Sequence, residues 1–509
     1  MTNHDDVIKR RTQLSPAKQA LLSRRLRGKS AQDTPGSRIP RRQETGPAPL
    51  SYAQQRLWFF EQMRPESTAY NERVGFYLQG PLDAALLERC LNEVVQRHEI
   101  LRATIGSVDG QPFQEIVPAV TIPLPVVDLS GLPEQAWDAE ARRWAEREGQ
   151  QPFNLAQGPL LRTCLLRFSP HDHMFMLAVH HIITDAWSAG LMLSEMAQLY
   201  DAYRSGQPSP LPELPIQYTD FAVWQRGWMQ SETISTQLSY WKKQLADLPT
   251  LDLTTDYPRP AASSFHGARL PLQLKPQLSG ALTALAHQLH VTPFILMLAA
   301  FQAFLSRYTQ QDDIAVGTTI ANRHFSEVER LIGFFANTLV MRARLKPELP
   351  FQTFVEQVRE SALEAYSYQD VPFERLVDEL LPERELARHP LFQVALVLFP
   401  LPPRRFSTEL TLRPWTIDNK TTKFDLTLFL WEEEHGLEGT FEYSTELFSA
   451  ATIARMGQHF TTMLEGLVQA PDLPLSALPL MSEGEREQLL VSWNATATPF
   501  PRLASLPDL

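Results

Sequence analysis

MFMLAVHHIITDAWS, residues 174–188, is the stretch on which the reading of this chain turns. Its first six residues, Met174 to Val179, form a short run with almost no polar atoms. That is the pattern of a strand buried on both faces, although periodicity alone also allows a buried helix segment. Two histidines end the run, and Asp185 follows four residues after the second. From Ser188 the period changes: Leu191, Met192, Met196, Leu199 and Tyr203 recur at helical spacing. Strand, polar corner, helix is therefore the expected local order. Successive side chains of a strand point to opposite faces, so His180 and His181 cannot share one task. One faces a cavity and the other the packed interior. A lone histidine among apolar neighbours is ordinarily a satisfied core residue. A pair closing a buried strand, with an aspartate just beyond it, points instead to chemistry.

The same stretch resembles the HHxxxDG signature of condensation domains from nonribosomal peptide synthetases, which belong to the chloramphenicol-acetyltransferase-like acyltransferases. Six further segments resemble that family's motifs in family order: SYAQQRLW at 51–58, RHEILRAT at 97–104, YTDFAVW at 218–224, LIGFFANTLVMR at 331–342, YQDVPFERLV at 368–377 and ARHPLFQVAL at 387–396. The opening LSYAQQRLWF is similar to the subtype that joins two L-configured units. Residues 478–499, LPLMSEGEREQLLVSWNATATP, resemble the linker between a condensation domain and an adenylation domain. One position departs from the pattern: the glycine after the motif aspartate is Ala186 here.

The resemblance implies an α/β (α+β) fold, a pseudo-dimer of two chloramphenicol-acetyltransferase-like lobes in a V shape with an active-site tunnel between them. A weak internal duplication fits it. The strand pattern Arg73 to Leu78, then Pro81, then a helix bearing Leu87, Leu91 and Val94 is repeated by Arg269 to Leu274, a proline, and a helix from about Gln277 to His290. The expected divisions are an N-terminal helix (14–27) and basic linker within 1–48, a first lobe at 49–224, a second at 225–477, and at 478–509 a linker toward an adenylation domain that the chain lacks. A strand and turn at 312–323, ending in Arg323, and a hairpin of Phe424–Leu430 with Leu437–Tyr443 belong to the second lobe. A helix from about Ala450 to Val468 closes it.

Composition narrows the classes. At 509 residues the chain exceeds one compact core. Its net charge of −11 argues against a nucleic-acid partner. That charge is uneven: residues 1–48 carry eleven Lys or Arg against four acids, net +7, which leaves −18 for the rest. The 40 prolines against 22 glycines indicate fixed turns rather than flexible loops. Cys90 and Cys164 both lie in apolar patterns, giving no disulfide framework, and a reducing cytoplasm suits them. No signal-peptide core opens the chain, and the longest apolar run, Phe294 to Leu305, is too short to span a bilayer, so no membrane role is expected. His171 and His173 flank Asp172 in what reads as a hairpin turn, without the further ligands a metal site needs. His98 and Glu99 sit at a helix end, where bonding to local backbone is the expectation.

What the resemblance implies for the site follows. A carrier-bound acceptor aminoacyl amine attacks a carrier-bound donor thioester, with both substrates on 4'-phosphopantetheine arms and no cofactor held by the domain itself. His181, the family's second histidine, is the catalytic position; His180 serves packing, and Asp185 holds the corner through an ion pair for which Arg323 is the expected partner. Arg56 is expected to be a structural ion-pair residue. Ala186, Trp187, Ser188, Asn337, Thr338 and Gln369 are expected along the tunnel. If residue 186 has negative φ, alanine costs little there; positive φ would add strain. The expected partners are a donor carrier arriving from another protein and the acceptor carrier and adenylation domain of the same module. Two alternatives stay open: a catalytically silent platform that only docks carriers, and a chain-initiating domain with a fatty-acyl donor. An acyl-CoA-dependent acetyltransferase would lack the flanking motifs, an epimerisation domain fits the ANT segment at 336–338 poorly, and a heterocyclisation domain would replace both histidines with aspartates.

Overall fold

The structure is a computed structural model and describes residues 38–44, 46–381, 388–399, 405–415, 417–433 and 436–497. The N-terminal helix expected at 14–27 lies outside them, as does most of the basic linker. The linker's last part is packed rather than free: Ile39 is buried in the first core, and the Arg42 backbone N–H donates to Asp220 at 2.9 Å.

Fourteen strands appear among the described residues. In chain order they are β1 (Ala48–Pro49), β2 (Asn71–Gln79), β3 (Ala103–Val108), β4 (Gln111–Ile116), β5 (Val126–Asp128), β6 (Leu161–Arg167) and β7 (Asp172–His180). The second half adds β8 (Gly267–Leu272), β9 (Asp313–Ile320), β10 (Asn337–Arg344), β11 (Val394–Phe399), β12 (Thr411–Trp415), β13 (Leu426–Glu433) and β14 (Gly436–Ser444). They form a five-stranded sheet in the order β12-β2-β7-β6-β5, a six-stranded sheet in the order β10-β9-β11-β13-β14-β8, and a small sheet β1-β4-β3. Helices pack on the larger sheets, one main core to each half, and in both halves a strand, a proline and a helix follow in that order: β2 to Ala84–Arg97, β8 to Pro276–Gln288.

Local chemistry explains the elements that carry the site. Every residue from Met174 to Val179 is buried, since β7 lies between β2 and β6 under helices. A single 3-10 turn, His181–Ile183, then reverses the chain, and Asp185 caps the helix Ala186–Arg204 by accepting from the Ser188 N–H at 2.8 Å. The helix Tyr52–Met63 opens with a reciprocal capping box between Ser51 and Gln54. The helix Pro293–Thr309 begins with Thr292 as cap and Pro293 in its first turn, and its Ile295 to Leu305 are all buried in the second core. No single described helix is long and apolar enough to cross a membrane; the helix pair Pro276–Gln288 and Pro293–Thr309 would pass that test only as a unit bent by 105°.

A division at 224/225 does not partition the contacts cleanly. β12 comes from the second half of the chain yet pairs antiparallel with β2 in the first sheet, Trp415 opposite Gly75. Without it β2 would be an open edge, with a row of unpaired N–H and C=O groups. A Cβ on Gly75 would come within 2.7 Å of the Trp415 ring, so the crossing strand requires glycine there. Val328 to Phe335 and Phe406 to Leu412 likewise contribute Leu331, Ile332, Phe335, Phe406 and Leu410 to the first core.

Candidate active site

A cavity of about 3090 Å³ lies between the halves, lined from both sides. His181, Ala186 and Trp187 face it from the motif, Glu72 and Arg73 from β2, Lys423 from the segment before β13, and Phe429 and Glu442 from the second sheet.

The two histidines part as alternation requires. His180, 1% exposed, accepts the Ile182 N–H on Nδ1 at 3.1 Å, which leaves its protonated Nε2 to donate to Glu61 at 3.3 Å. It is a fully engaged core residue. His181 turns to the cavity. Its Nδ1 lies 2.7 Å from the Thr184 carbonyl, a bond only an N–H can make, so the lone pair of the neutral ring is on Nε2, facing the cavity. Burial, reinforced by the Lys423 cation, pushes the His181 pKa down to about 4, against the opposing pull of Glu72. The ring is held by its backbone N–H on Tyr70 O and by Phe334, whose centroid is 4.6 Å away. Phe334 is in turn fixed by Tyr218, whose hydroxyl donates to its carbonyl at 2.6 Å.

Asp185 and Arg323 meet behind the histidine at 3.2 Å, with side chains 4% and 1% exposed. Asp185 also accepts from the Phe335 N–H at 3.0 Å, and Arg323 donates to the carbonyls of Val328 and Leu331, both at 2.6 Å. The pair ties the corner after β7 to the LIGFFANT segment. Ser188, expected along the tunnel, belongs to this network instead: its hydroxyl donates to Gly333 O at 2.8 Å and accepts from Arg323 at 2.7 Å. It is buried because residue 188 falls on the inner face of the helix. Gly333 must be glycine, since a Cβ would run into the Tyr218 ring.

The other expected tunnel residues divide. Ala186, Trp187, Asn337 and Thr338 line the cavity; Gln369 does not, and its side chain bonds back to Tyr366 O at 2.7 Å. Asn337 has no free amide atom for a substrate. Its Nδ2 donates to the carbonyls of Gln369 and Val371, and its Oδ1 accepts from the N–H groups of Thr338 and Phe373, which fastens the YQDVPF segment to β10. Ala186 is the first residue of its helix and is not among the residues with positive φ, so its methyl adds no backbone strain. Arg56 pairs with Glu374 at 3.3 Å. His98 was expected to bond local backbone, but its ring reaches Glu195 at 2.8 Å and the Ile332 N–H at 3.2 Å, because the helix end it occupies is packed under both.

Two charged residues beside His181 escaped the motif reading. Glu72 Oε1 lies 3.8 Å from His181 Nε2 and 2.9 Å from Lys423 Nζ. Glu72 stands opposite Val179 in the β2–β7 register, which turns its side chain to the cavity. The available signal was an acid at the start of a strand pattern, but the pairing that gives it meaning joins residues 351 apart.

The two halves thus share one cavity, with His181 turned into it and neither cysteine among its lining residues. Residues 44–490 match the model of the condensation domain, and the chain belongs to that family. It is 46% identical over 463 residues to a linear gramicidin synthase of Brevibacillus parabrevis, an alignment covering 89% of this chain and 9% of that protein. Over 492 residues it is 40% identical to phosphinothricin tripeptide synthetase PhsC of Streptomyces viridochromogenes, covering 95% of this chain and 45% of PhsC. The chain thus spans less than half of either relative. Among solved structures, the X-domain from teicoplanin biosynthesis superposes with a TM-score of 0.78 at 27% identity, over 87% of this chain and all of that one.

Proposed function

We propose that this domain forms an amide bond between two substrates held on the phosphopantetheine arms of carrier proteins: a donor acyl or peptidyl thioester and an acceptor aminoacyl thioester. The observation that carries the reading is the free Nε2 of His181, aimed into a cavity open to both halves. The acceptor nitrogen attacks the donor carbonyl carbon, a C–N bond forms, and the carbonyl π pair moves to oxygen. Nε2 takes a proton from the nitrogen of this adduct. The oxyanion then re-forms the carbonyl, the C–S bond breaks, and the proton passes to the departing thiolate. A ring held this far below the ordinary histidine range does not strip an ordinary ammonium group. The acceptor therefore attacks as the neutral amine and gives up its proton from the adduct, where the new C–N bond has made it more acidic. Most of the acceleration is then positioning, worth up to ~7–11 kcal/mol when both arms are held in line.

His180 and Asp185 support this site without touching substrate, His180 through packing and Asp185 through Arg323. Carrier proteins deliver donor and acceptor, and an adenylation domain loads the acceptor carrier; the long synthetases among the relatives favour such partners. Support for the L-to-L subtype rests on LSYAQQRLWF. The test is single-turnover condensation with loaded carriers. His181→Ala is expected to lower the rate ~10²–10⁴-fold with an unchanged melting temperature. A native rate in that variant would remove His181 from the mechanism, and no product from the unaltered chain would favour a silent docking platform.

A further inference from the structure

Beside His181 a row of alternating charges crosses the cavity. Glu72 comes from β2 in the first sheet, Lys423 from the approach to β13, Glu442 from β14 and Arg269 from β8. Lys423 holds Glu72 at 2.9 Å and lies 5.1 Å above the Tyr70 ring, while Arg269 binds Glu442 at 2.8 and 3.0 Å. Structural ion pairs have no need to stand at a reacting atom. Glu72 does: its Oε1 lies 3.8 Å from the one His181 nitrogen that faces the cavity. That separation is too long for a direct hydrogen bond. It does suit a third atom, because two bonds of about 2.9 Å can converge on one nitrogen when their acceptors are this close.

We propose that Glu72 is a binding residue for the acceptor amine, receiving one N–H of the attacking nitrogen while His181 Nε2 receives another, and stabilising the positive charge that nitrogen develops as it attacks. The inference rests on the condensation reading above and names the residue that makes its acceptor site selective for an amine. Lys423 is a positioning residue in this scheme: it keeps the Glu72 carboxylate turned toward the histidine. Burial alone would raise the Glu72 pKa, but Lys423 and then His181 outweigh it and bring it down to about 2, so the group stays anionic at neutral pH. Arg73 and Arg269 are also within electrostatic reach of this carboxylate, but Arg73 hydrogen-bonds to the carbonyls of Ala145 and Asn419 and Arg269 to Glu442. A neutral nucleophile of the same shape, an α-hydroxyl, can donate one hydrogen bond to the carboxylate but brings no charge for it to hold.

The experiment measures binding, not turnover, on the full chain. The probes are two non-hydrolysable pantetheine amides, one ending in an α-amine and one in the matching α-hydroxyl. The unaltered protein is expected to bind the amine about tenfold or more tighter, the scale of one charge-assisted hydrogen bond. Glu72→Gln keeps the side-chain shape and should erase that preference, whereas Lys423→Met, which leaves the carboxylate, should retain at least half of it on a logarithmic scale. An unchanged preference in Glu72→Gln, or equal loss in the two variants, would reduce Glu72 to a clasp between the halves and overturn the proposal. If Glu72→Gln does not fold, Glu72→Asp replaces it: drawing the carboxylate back by one methylene should cut the preference at least threefold, and no change would overturn the proposal. Failure to bind either probe would instead sink the condensation reading.

Discussion

Cutting the ion pair behind His181 should cost more than any other single change near the site. Asp185→Ala removes the acceptor for the Ser188 N–H at 2.8 Å, the Phe335 N–H at 3.0 Å and Arg323 Nη2 at 3.2 Å. The lost helix cap is worth ~1 kcal/mol. The larger cost is Arg323, 1% exposed in its side chain and now without a counter-charge, at ~3–5 kcal/mol. Together these come to ~4–6 kcal/mol, a large share of the ~5–15 kcal/mol that holds a typical domain folded. Arg323→Met should cost ~3–5 kcal/mol for the mirror reason, since it leaves a buried carboxylate facing two N–H groups. In the double variant neither charge is stranded. Its destabilisation should therefore fall short of the summed singles by ~2–3 kcal/mol, at the upper end of measured couplings. Urea unfolding of the four proteins, followed by tryptophan fluorescence, reads this directly. Additivity within ~0.5 kcal/mol would show that the two groups do not depend on each other, whatever their distance.

Two other outcomes follow from residues around the cavity. His181 and His389 are held at pKa values of about 4 and about 3, both chiefly by burial, below the ~6.5 of an unfolded histidine. At about pH 5 the unfolded chain binds protons there that the folded chain does not, so stability should fall as pH drops from ~6.5 toward ~4. Proton uptake on unfolding at about pH 5 should shrink by nearly one in His389→Gln, and unchanged uptake would contradict the assignment. Ala186→Gly should alter turnover by less than about tenfold and cost up to ~1 kcal/mol in stability, because the residue begins a helix with ordinary backbone angles; a large gain in rate would mean that the alanine methyl obstructs the tunnel.

The parts of this site legible in the sequence are those written in local pattern. The apolar run Met174 to Val179, the polar corner and the return to helical spacing appear as β7, one 3-10 turn and the helix from Ala186, because burial on both faces and an aspartate cap leave few other choices. Alternation separated His180 from His181 without any knowledge of the neighbours. Side-chain direction at Ser188 and Asn337 was not legible: whether a polar residue meets a cavity or a backbone carbonyl depends on segments more than thirty residues away, Gly333 for Ser188 and Val371 for Asn337. The distant meeting of Glu72 with Lys423 has the same cause, as does β12, whose five residues include Pro414 and carry little strand signal of their own.

That short strand has a consequence for taking the protein apart. A break at 224/225 would give one fragment with the β7 histidines and a bare β2 edge, and another carrying the missing strand with nothing to lay it against. Phe406, Leu410 and Leu412 would leave with the second fragment, opening holes in the first core. Mixing the fragments could restore the site only if residues 405–415 found their groove again from solution. Exchange of acceptor or donor preference between related synthetases should accordingly move residues 44–490 as one piece, because each half is finished by the other.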